Sequence, residues 1–246
     1  MNSAKNRLIV ALDVSSVDEA RKIFRLLRGS IGMFKIGSQL FTAAGPSIVR
    51  EIVDAGAEVF LDLKFHDIPN TVAAASAEAA RLGVSLFNVH ASGGAEMMRR
   101  ATEAIAETAA RENLRRPRLL AVTVLTSVDA ATLVETGISA SPENQVLALA
   151  TLAASCGVDG VVASGHEIEA LRRTIRRENF LIVTPGVRLR SVAKSPAQAD
   201  DQKRVMTPAE AVRAGADFIV AGRQIIGALD PVAATQSVLA EIEQAV

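Results

Sequence analysis

Apolar and polar positions alternate along the chain on two scales. Short β-rich apolar runs recur from end to end, and longer amphipathic stretches separate them. The runs predict strands at Leu8–Asp13, Met33–Ile36, Glu58–Lys64, Ser85–His90, Leu119–Leu125, Gly160–Ala163, Leu181–Thr184 and Asp217–Ala221. Segments such as Val17–Leu27, Thr71–Arg81, Glu96–Arg111, Glu143–Ala154 and Pro208–Ala214 read as helices. Most runs are continuously apolar, which suits parallel strands buried on both faces.

A weak internal repeat supports tandem βα units. AGAEVFLD, LGVSLFNVH, CGVDGVVAS and AGADFIVAG each place a glycine (Gly56, Gly83, Gly157, Gly215) just before a strand. After a helix such a glycine is expected in left-handed backbone. Eight strands alternating with helices predict a (β/α)₈ TIM barrel, and the 246 residues match the roughly 250 of one such domain. The whole chain, 1–246, is therefore expected to be a single domain. A doubly wound open sheet is the competing fold, but no G-x-G-x-x-G follows the first strand. The one long irregular stretch, running from about Arg188 to Val205, is expected to be a lid or a disordered loop.

Composition narrows the function. Lys+Arg and Asp+Glu are both 27, so no net charge attracts nucleic acid or an anionic membrane. Trp and Tyr are absent, which removes the large stacking platforms of single-strand binders. The apolar run beginning at Leu8 is too short for a signal-peptide core or a membrane span. The lone Cys156 suits a reducing compartment and is expected in the core. Together these predict a soluble cytoplasmic protein.

Charges interrupt strands that should be apolar. Asp13, Lys35, Asp62 with Lys64, and His90 lie at or near the C-terminal ends of the first four strands. In a barrel those ends share the catalytic face. A buried unpaired charge costs several kcal/mol, whereas interleaved ammonium and carboxylate groups can hold each other ionised. The plain alternative is a structural ion-pair network. Three histidines without H-E-x-x-H spacing argue against a histidine-rich metal site, although Mg²⁺ on Asp13 and Asp62 stays open. Without a G-x-S-x-G elbow, lysine and aspartate remain, suited to proton transfer and carbanion stabilisation. At the seventh and eighth strands, T-P-G-V-R (Thr184–Arg188) and A-G-R (Ala221–Arg223) predict a phosphate site.

D-L-K-F-H-D-I-P-N-T (Asp62–Thr71) resembles the D-x-K-x-x-D-I-x-x-T motif of bacterial orotidine 5′-phosphate decarboxylases. The resemblance extends through A-L-D at Asp13, F-K-I-G at Lys35, V-L-T-S at Thr126 and Ser127, T-P-G-V-R at Arg188, D-Q-K-R at Gln202, and A-G-R at Gly222 and Arg223. It implies decarboxylation of orotidine 5′-phosphate to uridine 5′-phosphate without metal or cofactor. Lys64 would protonate C6, with Asp62, Lys35 and Asp67 completing the charged array. Asp13 and Lys35 would contact ribose, and Thr126 and Ser127 the pyrimidine. Gln202 would bridge base and phosphate, while Arg188, Gly222 and Arg223 would hold the phosphate. The resemblance also implies a homodimer in which Asp67 and Thr71 serve the partner's site. D-x-K-x-x-D is shared with Mg²⁺-dependent 3-keto-gulonate-phosphate decarboxylases and hexulose-phosphate synthases, which stand as rivals. A non-catalytic nucleotide-binding barrel is another.

Overall fold

The computed structural model describes residues 3–189 and 206–245. Eight parallel strands close into a barrel in the order β1-β2-β3-β4-β5-β6-β7-β8, as the sequence predicts. They are β1 Leu8–Ala11, β2 Met33–Gly37, β3 Glu58–Phe65, β4 Leu86–His90, β5 Arg118–Val122, β6 Gly160–Val162, β7 Leu181–Thr184 and β8 Phe218–Ala221.

The continuous apolar runs are explained by two cores. Side chains that point inward at every second position fill the barrel: Ile9, Met33, Phe60, Leu86, Leu120, Leu181, Val183 and Phe218 pack there together. The intervening positions, such as Val10, Phe34, Leu61, Phe87 and Ile219, face the helices and join a larger surrounding core. Cys156 is free and belongs to that outer core.

Local chemistry sets the helix ends. Helix Val17–Leu27 begins where the Ser16 side chain accepts a hydrogen bond from the Glu19 N–H. Helix Pro208–Ala214 starts with a reciprocal capping box between Thr207 and Glu210 and stops at Gly215, whose φ is 109°. Gly56, Gly83 and Gly157 also have positive φ, as the repeat requires. Helix Pro69–Arg81 begins two residues before the predicted Thr71, because proline is well suited to a first helical position. Helices Ser38–Ala44, Ser47–Asp54 and Pro231–Glu243 complete units that the repeat left unassigned.

Several strands end earlier than their apolar runs. The run through Leu125 leaves β5 at Val122, since β6 pairs no further than Val162 and both the N–H and the hydroxyl of Thr123 turn to the Val162 carbonyl. β1 likewise stops at Ala11, which leaves Asp13 on the rim. Among the described residues, no helix is long and apolar enough to cross a membrane.

Candidate active site

Strand register explains how the charged residues meet. Ala11 is level with Lys35, and Gly37 is level with Asp62. Two residues beyond Ala11, Asp13 therefore reaches the height of Gly37 and Asp62, with Lys35 one layer below. Glycine at 37 leaves a gap between the two carboxylates. A Cβ there would lie 3.0 Å from both Asp13 Oδ1 and Lys35 Nζ. The Lys35 ammonium fills the gap, 2.9 Å from Asp13 Oδ1 and 3.2 Å from Asp62 Oδ2.

Lys64 closes the array. Its Nζ donates to Asp62 Oδ1 at 2.7 Å, so the order of charges is Asp13, Lys35, Asp62, Lys64. Lys35 and Asp62 are buried, at 8% and 9% exposure, whereas Asp13 and Lys64 are partly open to solvent. Burial alone would neutralise the inner two. For Lys35, burial opposes the charge, but Asp62 and Asp13 outweigh it and hold the pKa above the usual lysine value. For Asp62, burial pushes upward, yet Lys35, Lys64 and the hydrogen bonds from Lys64 and Asn88 bring the carboxyl below its usual range.

β3 is distorted where its acidic and basic residues lie. Leu61 pairs with Phe87 and Phe65 with Val89, so Asp62, Leu63 and Lys64 stand opposite the single residue Asn88. The bulge places Lys64 in left-handed backbone, φ 52°. Asn88 is 1% exposed. Its Nδ2 donates to Asp62 Oδ1 at 2.7 Å, and its Oδ1 accepts the Lys64 N–H at 2.8 Å.

His90, the ionisable residue at the end of β4, has a lowered pKa, through burial first and then through His66 and Lys64. Its ring lies 5.5 Å from that of His66. The polar member that β4 lends to the array is Asn88.

Other expected residues fall around this centre. Asp67 is exposed, makes no ion pair among the described residues and accepts the Ile68 N–H at 2.6 Å. It does not fold back onto Lys64 within the chain. Thr71, also exposed, lies in the first turn of helix Pro69–Arg81. Thr126 and Ser127 occupy the tip of a turn closed by the Val128 N–H on the Leu125 carbonyl, on the same barrel face. Gln202 lies outside the described residues.

At the seventh and eighth strands, Gly186 has φ 78°, and a Cβ on Gly222 would lie 3.8 Å from Asp13 Oδ2. This end of the site is thus beside the charged array. Gln224 ties the two loops together: its Nε2 donates to the Val187 carbonyl and its Oε1 accepts the Leu189 N–H. Arg188 and Arg223 flank that clamp in sequence. The sequence alone singles out none of Asn88, Gly37 and Gln224. The signal for Asn88 was a lone amide in the apolar run LFNVH; the other two carried none apart from their neighbours.

A profile of the Orotidine 5'-phosphate decarboxylase / HUMPS family matches residues 6–238. The chain belongs to that family. Among its relatives, the orotidine 5'-phosphate decarboxylase of Syntrophotalea carbinolica is 52% identical over 242 residues, covering 98% of this chain and 97% of the relative. The orotidine 5'-phosphate decarboxylase of Geobacter sulfurreducens is 53% identical over 241 residues, covering 98% of each. In the crystal structure of orotidine 5'-phosphate decarboxylase from Lactobacillus acidophilus, the same barrel superposes with a TM-score of 0.82 at 36% identity, over 96% of this chain and 99% of that one. Family membership at this identity makes the chain an enzyme, a decarboxylase.

Proposed function

We propose that the chain converts orotidine 5′-phosphate to uridine 5′-phosphate as one catalytic barrel domain, with Lys64 as the proton donor and no metal. The observation that carries this reading is the alternating Asp13–Lys35–Asp62–Lys64 array on the C-terminal barrel face. An ammonium occupies the gap between Asp13 and Asp62, the place where a bridging Mg²⁺ would have to sit. This favours the metal-independent member of the family over its Mg²⁺-dependent sisters.

The chemistry follows from charge. The C6–carboxylate bond breaks heterolytically, CO₂ departs, and its bonding electron pair stays on C6. Little delocalisation is available there, so a fixed ammonium lowers the barrier by stabilising the developing negative charge. Lys64 then gives C6 its proton and regains one from water. Asp62 holds Lys64 in place and stands beside the departing carboxylate. Lys35 and Asp13 take the ribose hydroxyls, and Thr126 and Ser127 face the pyrimidine. Arg188, Gly222 and Arg223 bind the phosphate, with Gln202 between phosphate and base.

The same reading makes the enzyme a homodimer. Asp67 and Thr71 are exposed on either side of Ile68, itself 67% exposed, so this rim is suited to cover a partner's site. Neither nucleic acid nor membrane is a partner, and a cytoplasmic location fits the buried, free Cys156.

The deciding assay mixes purified protein, orotidine 5′-phosphate and EDTA and follows substrate absorbance. Sustained turnover is expected. Loss of turnover on chelation would favour a Mg²⁺-dependent sister, and tight uridine 5′-phosphate binding without any absorbance change would favour a non-catalytic barrel. At the phosphate end, Arg223→Ala is expected to raise KM at least about tenfold with a smaller change in kcat, as for lost ground-state binding. A flat KM would remove Arg223 from the phosphate site.

A further inference from the structure

We infer that Asn88 is a positioning residue that holds the β3 bulge in the shape the array needs, and so sets where the Lys64 ammonium stands. The inference rests on the proposed role of Lys64. Three residues of β3 face one of β4 here, so the ladder is interrupted and the Lys64 N–H loses its regular strand partner. A buried N–H without an acceptor is costly. The Asn88 carbonyl oxygen takes the place of the missing backbone acceptor, at 2.8 Å.

The orientation of the amide is determined by its neighbours. The Lys64 N–H can only donate, so it must face Oδ1; an ionised Asp62 can only accept, so Nδ2 must face it, at 2.7 Å. One rigid, buried side chain therefore joins the backbone of residue 64 to the carboxylate that its own ammonium contacts, also at 2.7 Å. The result is a closed loop: Asn88 to the Lys64 backbone, along the lysine side chain to Asp62, and back to Asn88. Opening it at Asn88 frees both the backbone conformation of Lys64 and the carboxylate that receives its ammonium. The Asn88 amide moves no proton.

The test is steady-state turnover of orotidine 5′-phosphate by Asn88→Ala, Asn88→Asp and Lys64→Ala, each scaled to folded protein. A displacement of about 1 Å at a reacting group lowers turnover by about 10²-fold, so Asn88→Ala is expected to lose about that much in kcat. KM should stay within threefold, since the phosphate end is untouched. Asn88→Asp keeps an acceptor for the Lys64 N–H but sets a second carboxylate against Asp62, among Lys35, Lys64 and His90. Its kcat should fall tenfold or more, and the acid limb of its pH–kcat profile should move to higher pH. A purely structural asparagine would lower the denaturation midpoint and leave kcat and the pH profile of the folded fraction unchanged; that result overturns the inference. Should Asn88→Ala fail to fold, Asn88→Asp alone decides, with kcat within threefold of wild type and an unmoved acid limb counting against it. Lys64→Ala separates the two levels. If it retains activity within tenfold, the reading of the site fails, whereas an inactive Lys64→Ala beside an active Asn88→Ala sinks only the role of Asn88.

Discussion

Lys64→Ala is expected to lower kcat by about 10⁴-fold or more, the upper end of what a positioned proton donor contributes, while leaving the barrel folded. On the proposed role of Lys64, two effects would be lost at one atom: delivery of the proton to C6, and stabilisation of the charge before it is delivered. They act as a unit, so their separate magnitudes do not multiply. Folding survives because Asp62 keeps Lys35 at 3.2 Å and Asn88 at 2.7 Å, and because the Lys64 side chain is already partly solvated. Uridine 5′-phosphate binding, dominated by the phosphate end, should persist. Absorbance decay at saturating substrate, together with a circular-dichroism spectrum, measures both; activity within tenfold of wild type would take Lys64 out of the centre.

The second large effect is on stability. Asp62→Ala leaves Lys35 buried with Asp13 as its remaining carboxylate, and breaking a buried pair from one side costs about 3–5 kcal/mol. The low end of that range is expected, since Asp13 still compensates in part. The pH dependence has a definite sign. Burial raises the Asp62 carboxyl, but Lys35 and Lys64, with hydrogen bonds from Lys64 and Asn88, outweigh it and hold the folded-state pKa below the usual carboxylate range. Its contribution is therefore complete well above the ordinary carboxylate pKa and fades as the pH falls through the folded-state value. Urea denaturation of wild type and Asp62→Ala should show a wide gap at pH 7 that narrows in strong acid. A gap at pH 7 no larger than the roughly 1 kcal/mol of an exposed ion pair would mean that water, not Lys35, balances this carboxylate.

The barrel was legible in the chain because strands buried on two faces leave unbroken apolar runs, and each of the eight was found within a few residues. Their ends were less legible. β1 and β5 stop where the neighbouring strand stops pairing, which is a property of the pair and not of the run. Asp13, Lys35, Asp62 and Lys64 were visible for the complementary reason: charge inside an apolar strand is costly, so its presence demands a partner. The same logic takes in His90, an ionisable ring whose pKa is lowered by burial first and then by His66 and Lys64. It passed over Asn88, whose neutral amide attracts no notice until the bulge opposite is seen. Gly37 was invisible as well, since what it provides is an empty volume beside Asp13.

The left-handed backbone at Lys64 has a consequence for anyone seeking a sturdier version of this enzyme. Lysine resists that conformation by about 1–2 kcal/mol, whereas glycine enters it readily. A search that rewards relief of this backbone cost alone would favour glycine at position 64 and discard the ammonium, and on the proposed role of Lys64 the barrel it selects would be inert.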